Sequence, residues 1–352
     1  MSVRVEILKA GHGDCILVRS KTTSGSFNLL VDGGSLHAFY VNSRRKIPGE
    51  LKLRLDELIA ENQQIDLLII THIDDDHIVG LIKGFQTPGY LSDMTKCVWF
   101  NSSDMITREF KKNPIVENHV KLESKGEETS VKKAMTLEEL LLQLNIWDQK
   151  LCIAGSHLKA GPFTFRILSP TLADLKELTC IWPTEDIDPS TAGKRQYTFT
   201  PFDELLKKDK FKRDPSTTNR SSIAFILEVE DQRFLLLGDA AEHVIISALK
   251  NLDYSEKNKL KVDLVKLSHH GSKHNTSKKL LDVVESDTYI ISTNGDVHNH
   301  PDRETLARIL LPDKKNKIFF NYESRLKEAI TVDETRLYGD RIQAQNSWEF
   351  EN

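Results

Sequence analysis

Cysteine is scarce. Cys15, Cys97, Cys152 and Cys180 are the only four in 352 residues, and no two stand as Cys-x-x-Cys. A disulfide framework and a thiolate zinc knuckle are both disfavoured. Long hydrophobic runs are missing as well: no apolar stretch reaches the ~18 residues of a membrane span, so no transmembrane helix is expected. The opening residues, Met1-Ser-Val-Arg-Val-Glu-Ile-Leu-Lys9, alternate apolar and polar. That reads as a strand, not as the unbroken apolar core of a signal peptide, and a cytoplasmic protein is the expectation. An excess of one charge is also lacking, since 48 basic and 52 acidic residues leave a formal −4. No long-range positive field draws in nucleic acid, and such binding needs a local patch. There is no Gly-x-x-x-x-Gly-Lys phosphate loop, no complete Gly-x-Gly-x-x-Gly and no Gly-x-Ser-x-Gly elbow, so the common nucleotide and serine-hydrolase signatures are absent. What remains is ordinary globular composition, 39% hydrophobic and 28% charged, on a chain long enough for two domains or one large layered one.

Periodicity places the elements. Val3, Val5 and Ile7 alternate, and strands are expected at Cys15–Arg19 and Phe27–Val31, the latter ending in Asp32-Gly-Gly. Leu51, Leu55, Leu58 and Ile59 follow a helical stripe, and Leu137, Leu140, Leu141 and Leu144 mark another. Buried strands are expected at Ile65–Ile70, Lys96–Phe100, Phe163–Leu168, Ser222–Val229, Phe234–Leu237, Val262–Leu267 and Thr288–Ser292. Helices are expected at Ala240–Leu249 and Asp302–Leu310. Residues 121–133 read as a surface loop, and 180–219 as a long loop or lid rich in Pro, Thr, Asp and Lys. Two runs of strands, each interleaved with helices, suggest two packed sheets with helices outside.

The polar clusters share one position. Asp32, His72 to His77, Asp239, His269-His270 and His298 to His300 each follow a strand-like apolar run. Strand ends of one sheet converge on one rim, and His and carboxylate groups gathered there make metal sites. His72-Ile-Asp74-Asp-Asp76-His77 is the most specific signal. A single Asp there would read as a helix cap. Three carboxylates and two histidines in six residues need a cation to offset their charge. Gly238-Asp239, taken alone, fits a strand-ending turn as well as a ligand. His269-His270 before Gly271 is better evidence for a site than either ring alone. His12, His37, His119, His157, His243 and His274 read as structural or surface residues.

The segments Gly11-His-Gly-Asp14, Leu30-Val-Asp32-Gly-Gly34, Thr71-His-x-Asp-x-Asp-His77, Leu237-Gly-Asp239, His269-His-Gly-Ser272 and His300-Pro301 occur in an ordered series. In this the chain resembles metallo-β-lactamase-fold hydrolases, and within them the hydrolase domain of ComEC-type DNA-uptake proteins and its stand-alone relatives. The resemblance covers about residues 1–312, the expected hydrolase domain, with irregular insertions at about 101–150 and 180–219. Residues 313–352 would form an extension packed on it, with a strand at Ile318-Phe-Phe320 and one near Trp348. The resemblance implies a four-layer αββα sandwich of two mixed sheets and a site for two divalent cations. His72 and Asp74 would serve the first metal; Asp76, His77 and His269 the second; Asp239 would bridge them. Asp32 would hold the site from behind, and His270, His298 and His300 would face substrate or supplement the metals. Asp74 stands where the superfamily usually has histidine, and the third-motif histidine is missing. His157 is nearest in order, while Asn219 better matches the ComEC-like segment. Three imidazoles and three carboxylates make a hard donor set for which manganese competes with zinc.

The implied function is a metal-dependent nuclease or phosphodiesterase, DNA favoured, in which a hydroxide shared by two cations attacks phosphorus. His300 or His270 would supply the leaving-group proton. The basic run Lys207 to Arg213 would offset the net charge locally. Two other readings stand beside it: hydrolysis of a small phosphoester, thioester or lactone, and a non-catalytic partner protein stabilised by metal. Stand-alone relatives in prokaryotic defence operons imply an operon-encoded partner. No membrane partner is expected, and the oligomeric state stays open.

Overall fold

The computed structural model describes residues 2–22, 25–110, 130–181, 197 and 199–351. Two mixed sheets form its centre. The first has six strands in the order Ser347–Glu351, Ser2–Ile7, Ile16–Thr22, Gly25–Val31, Leu67–Ile70, Val98–Phe100. The second has eight, in the order Ile342–Ala344, Lys317–Phe320, Thr288–Ile291, Leu264–Lys266, Gln232–Leu236, Ala224–Val229, Phe163–Ser169, His157–Ala160.

Strand alternation explains how they stack. Val3, Val5, Ile16, Val18, Leu67 and Ile69 of the first sheet share one apolar cluster with Phe163, Phe165, Phe225, Leu227, Phe234 and Leu236 of the second. The intervening residues point outward. Leu17, Leu30, Leu68 and Ile70 pack on helices through Leu51, Leu55, Ile78 and Leu81. Ile226, Leu235, Val265 and Ile291 meet Ile245, Leu249, Leu306 and Ile309 on the far side. A period of two with both faces apolar is what a doubly covered sheet requires. The layers are helix, sheet, sheet, helix: the αββα sandwich.

Several local expectations need correction. Residues 182–196 and 198 of the expected lid and 121–129 of the expected surface loop lie outside the described residues. The described parts contain helices at Leu172–Ile181, Phe202–Lys208 and Thr217–Arg220, and the helix carrying Leu137 begins at Ser130. Ile59, counted in the stripe of Glu50–Ala60, is 42% exposed. Residues 313–352 supply strands to both sheets: Lys317–Phe320 joins the second and Ser347–Glu351 pairs with Ser2–Ile7 in the first. Two helices, Glu323–Ala329 and Val332–Tyr338, lie between them.

In each sheet a parallel run matters most for the site. Gly25–Val31, Leu67–Ile70 and Val98–Phe100 are parallel, as are Gln232–Leu236, Leu264–Lys266, Thr288–Ile291 and Lys317–Phe320. Parallel strands end together, so the residues after them collect along one rim.

Candidate metal centre

Strand Leu67–Ile70 runs into Thr71-His72, and Asp75 opens the helix Asp75–Phe85. Strand Gln232–Leu236 leads to Asp239, and Leu264–Lys266 to the short turn Ser268–Gly271. These arrivals bring three overlapping ligand groups together: His72, His77 and Asp239; Asp76, His77 and His270; Asp14, Asp239 and His270. Within each group the candidate atoms lie within 4.8 Å of one another.

Each imidazole is held from behind through Nδ1. His77 Nδ1 donates to Asp32 Oδ2 at 2.7 Å. Asp32 also accepts from the Thr71 backbone N–H at 2.8 Å and the Thr71 hydroxyl at 2.7 Å. With its proton given to Asp32, the Thr71 hydroxyl accepts from His72 Nδ1 at 3.0 Å. His270 Nδ1 donates to the Ser292 carbonyl at 2.9 Å. His269 Nδ1 donates to Asp214 Oδ2 at 3.2 Å. Fixing Nδ1–H selects the tautomer whose Nε2 lone pair is free. Every one of these Nε2 atoms faces Asp239, at 3.9 Å for His72, 3.6 Å for His77, 3.8 Å for His269 and 3.7 Å for His270.

The electrostatics agree with the geometry. Burial opposes charge on Asp239, yet His270, His269 and His77 hold its carboxyl well below the usual range. Burial alone would lower His77, but Asp239, Asp76 and Asp32 raise it well above its ordinary value. His270 responds the same way: against burial, Asp239, Asp14 and Asp76 push it up to about 10. His72 Nε2, His77 Nε2, Asp74 Oδ1 and Asp239 Oδ1 are buried without a hydrogen-bond partner. Buried polar atoms are rarely left so. Four that line one centre, as a mixed imidazole and carboxylate set, fit a bound divalent cation.

Two positions differ from expectation. His269 was expected beside Asp76 and His77, but His270 is the ring found there, with Nε2 3.2 Å from Asp76 Oδ2. Both residues have positive φ, 47° and 55°, so the chain coils tightly and the two rings diverge at 74°. His269 instead turns toward Asp239 from beside Asp214 and Asn219. Among the described residues no histidine fills the third-motif place: His157 is exposed on the outermost strand of its sheet. Asn219 is buried and donates from Nδ2 to Asp214 Oδ2 at 2.8 Å, so it braces the carboxylate that holds His269.

Sequence reasoning missed four contributors. His12, read as structural, is partly buried within electrostatic reach of Asp76, His270, His77 and His298. Asp14 is buried and forms an ion pair with the fully buried Lys266, which also donates to the Leu267 carbonyl at 2.9 Å. Asp214 orients His269. The Gly11-His-Gly-Asp14 motif was the available signal for the first two; Lys266 and Asp214 had none. The structure places His119 outside the described residues, and His37 on the surface. His300 is buried at the rim, its ring centroid 5.1 Å from His269 and 6.0 Å from the exposed His298. Three members of the basic run have acidic neighbours: Lys207 pairs with Asp203, Lys208 with Glu204, and Arg213 lies 3.7 Å from Glu242.

A two-sheet sandwich with such a centre at its strand ends is the arrangement of a superfamily made up mostly of metallohydrolases. A model of the metallo-β-lactamase superfamily matches residues 8–295, and the chain belongs to that superfamily. Over 124 residues it is 27% identical to ComE operon protein 3 of Bacillus subtilis (strain 168). That stretch is 32% of this chain, and it spans only 15% of the relative's length. Among solved structures it is similar to the metallo-β-lactamase fold protein YhfI from Bacillus subtilis, with 11% identity, 99% and 100% of the two chains covered, and a TM-score of 0.40. Zn(2+)-bound PqqB from Methylobacterium extorquens is 8% identical, with 100% of both chains covered and a TM-score of 0.43. CmlA, a diiron β-hydroxylase from Streptomyces venezuelae, is 11% identical, with 99% of this chain and 54% of that one covered and a TM-score of 0.41. No helix among the described residues is long and apolar enough to cross a membrane.

Proposed function

We propose that the chain is a metal-dependent nuclease or phosphodiesterase. The observation that carries this reading is the common orientation of His72, His77, His269 and His270, each tied at Nδ1 with Nε2 toward Asp239. His72, Asp74 and Asp239 would hold one cation; Asp76, His77 and His270, sharing Asp239, would hold a second. His269 is placed to add to the first. Divalent cations there, zinc or manganese, activate water and neutralise charge on a phosphoryl group.

The chain's own residues then have limited tasks. Asp32, Asp214 and the Ser292 carbonyl keep the rings from turning. No serine or cysteine nucleophile is needed. Burial, with His269 and His270 nearby, holds His300 down at about 4 despite Asp302. In this reading His300 faces substrate from the rim, to position it or to supply the leaving-group proton. The ComEC-like motifs support DNA as substrate. The net charge of −4 argues against a long duplex footprint.

The test is elemental analysis after zinc or manganese loading, then digestion of single-stranded, duplex and supercoiled DNA beside a small phosphodiester. Up to two ions per chain and metal-dependent cleavage are expected. Asp239→Asn should abolish cleavage in a folded chain. Protein that stays metal-free at saturating ion sinks the reading, and turnover only of thioesters or lactones moves it to another substrate class.

A further inference from the structure

The loop before Pro301 carries two consecutive left-handed residues, His298 at φ 58° and Asn299 at φ 57°. Such backbone is strained for residues with side chains and persists where its surroundings hold it. Arg325, 3% exposed in the helix Glu323–Ala329, does the holding. Its Nε donates to the His300 carbonyl at 2.6 Å. Its Nη2 donates to the Asn299 carbonyl at 2.7 Å and to Asn299 Oδ1 at 3.0 Å. Nη2 also bonds the Tyr197 hydroxyl, which in turn donates to the Pro301 carbonyl at 2.8 Å. The guanidinium packs so closely under Gly295 that a Cβ there would lie 2.2 Å from Nε. Its carboxylate partner, Glu328, is 64% exposed and contributes little.

The helix does not need Arg325 as its anchor. Ala329 and Ile330 sit in the core beneath it, and Arg303 bonds the Ala329 carbonyl. The buried donors of Arg325 go to the loop that carries His298 and His300. We propose that Arg325 is a positioning residue that sets His300 at the mouth of the metal centre. The working site then extends beyond the 8–295 stretch that the superfamily match covers. This rests on the phosphodiesterase reading, in which His300 faces substrate.

Arg325→Met keeps the apolar stem and deletes every donor. Hydrogen exchange of residues 294–301 should quicken while metal content stays unchanged. Cleavage kcat should fall about 10²-fold with KM within about twofold, the scale of a small misplacement. Arg325→Lys should recover part of the loss. In a His300→Ala background, Arg325→Met should add nothing further, which general weakening of the fold would not produce. Equal losses in both backgrounds, or unchanged loop exchange, overturn the proposal. If Arg325→Met does not fold, Arg325→Lys carries the same comparisons. A wild-type protein that cleaves no phosphodiester defeats the functional reading alone, because loop exchange still decides the clamp.

Discussion

Lys266→Met is the most demanding test of how this rim is held together. Lys266 is fully buried on the second sheet, and its ammonium joins the Asp14 carboxylate, which is 1% exposed and follows the first strand. Methionine matches the lysine stem in length and fills the same space, so no cavity term arises. What it leaves is a buried carboxylate that has lost its ammonium and keeps the His270 ring 3.4 Å away. Breaking one partner of a buried pair costs about 3–5 kcal/mol, a large part of the ~5–15 kcal/mol that stabilises a typical domain. Urea unfolding of metal-free protein at pH 7 measures it without confusion from metal loss. Adding Asp14→Asn should return most of the loss, because replacing both charges is close to neutral. The pH dependence should change too. Against burial, Lys266 and His270 hold Asp14 down at about 2. A carboxyl depressed in the folded state adds stability above its unfolded value near ~4, and that stability fades as pH falls toward the folded value. In Lys266→Met this component should shrink. A single-variant cost below about 1 kcal/mol, or a double variant that loses both amounts in full, would refute the reasoning.

Asp32→Asn should leave the backbone intact, since Asp32 sits at φ 56° and asparagine tolerates that region. The amide has one acceptor oxygen for three donors, His77 Nδ1, the Thr71 hydroxyl and the Thr71 N–H, and its NH2 must face one of them, so metal affinity should drop about 10–100-fold in a chelator competition; unchanged affinity would remove Asp32 from the site. Metal binding should also release protons at pH 7. His77 and His270 are held above their ordinary values in the metal-free protein and must be neutral to ligate. The same raised groups stabilise the metal-free fold at lower pH and lose that contribution as pH climbs through their folded values. Calorimetry in buffers of differing ionisation enthalpy would read the release, and a buffer-independent heat would contradict it.

The sandwich was legible because its strands read either as alternation or, as in Leu67–Ile70, as short unbroken apolar runs buried on both faces. Val3, Val5 and Ile7 predict an inward face, and that face is where they lie. The rim was legible for a related reason: polar residues directly after an apolar strand have few other places to go. What was not legible depends on distance along the chain. Asp14 meets Lys266 across 252 positions, and Arg325 meets His300 across a topology that no local pattern encodes. The choice between His269 and His270 was open for a different reason. Spacing carries no direction when both residues are left-handed, so adjacent rings could not be assigned to opposite sides of the centre. Leu337 shows the limit of reading burial from hydrophobicity, being 71% exposed on a helix with no buried residue.

The prospective ligands come from both halves of the sandwich. His72, Asp74, Asp76 and His77 follow a strand of the first sheet, while Asp239 and His270 follow strands of the second. A cation shared between them would work as a rivet through the two sheets. Its binding energy would add to folding energy, about 2.7 kcal/mol at a free concentration one hundred times the dissociation constant. Metal scarcity would therefore reach this protein twice, first as lost chemistry and then as a shorter life for the folded chain. Its abundance in a cell would follow the metal supply even where its turnover is never called upon.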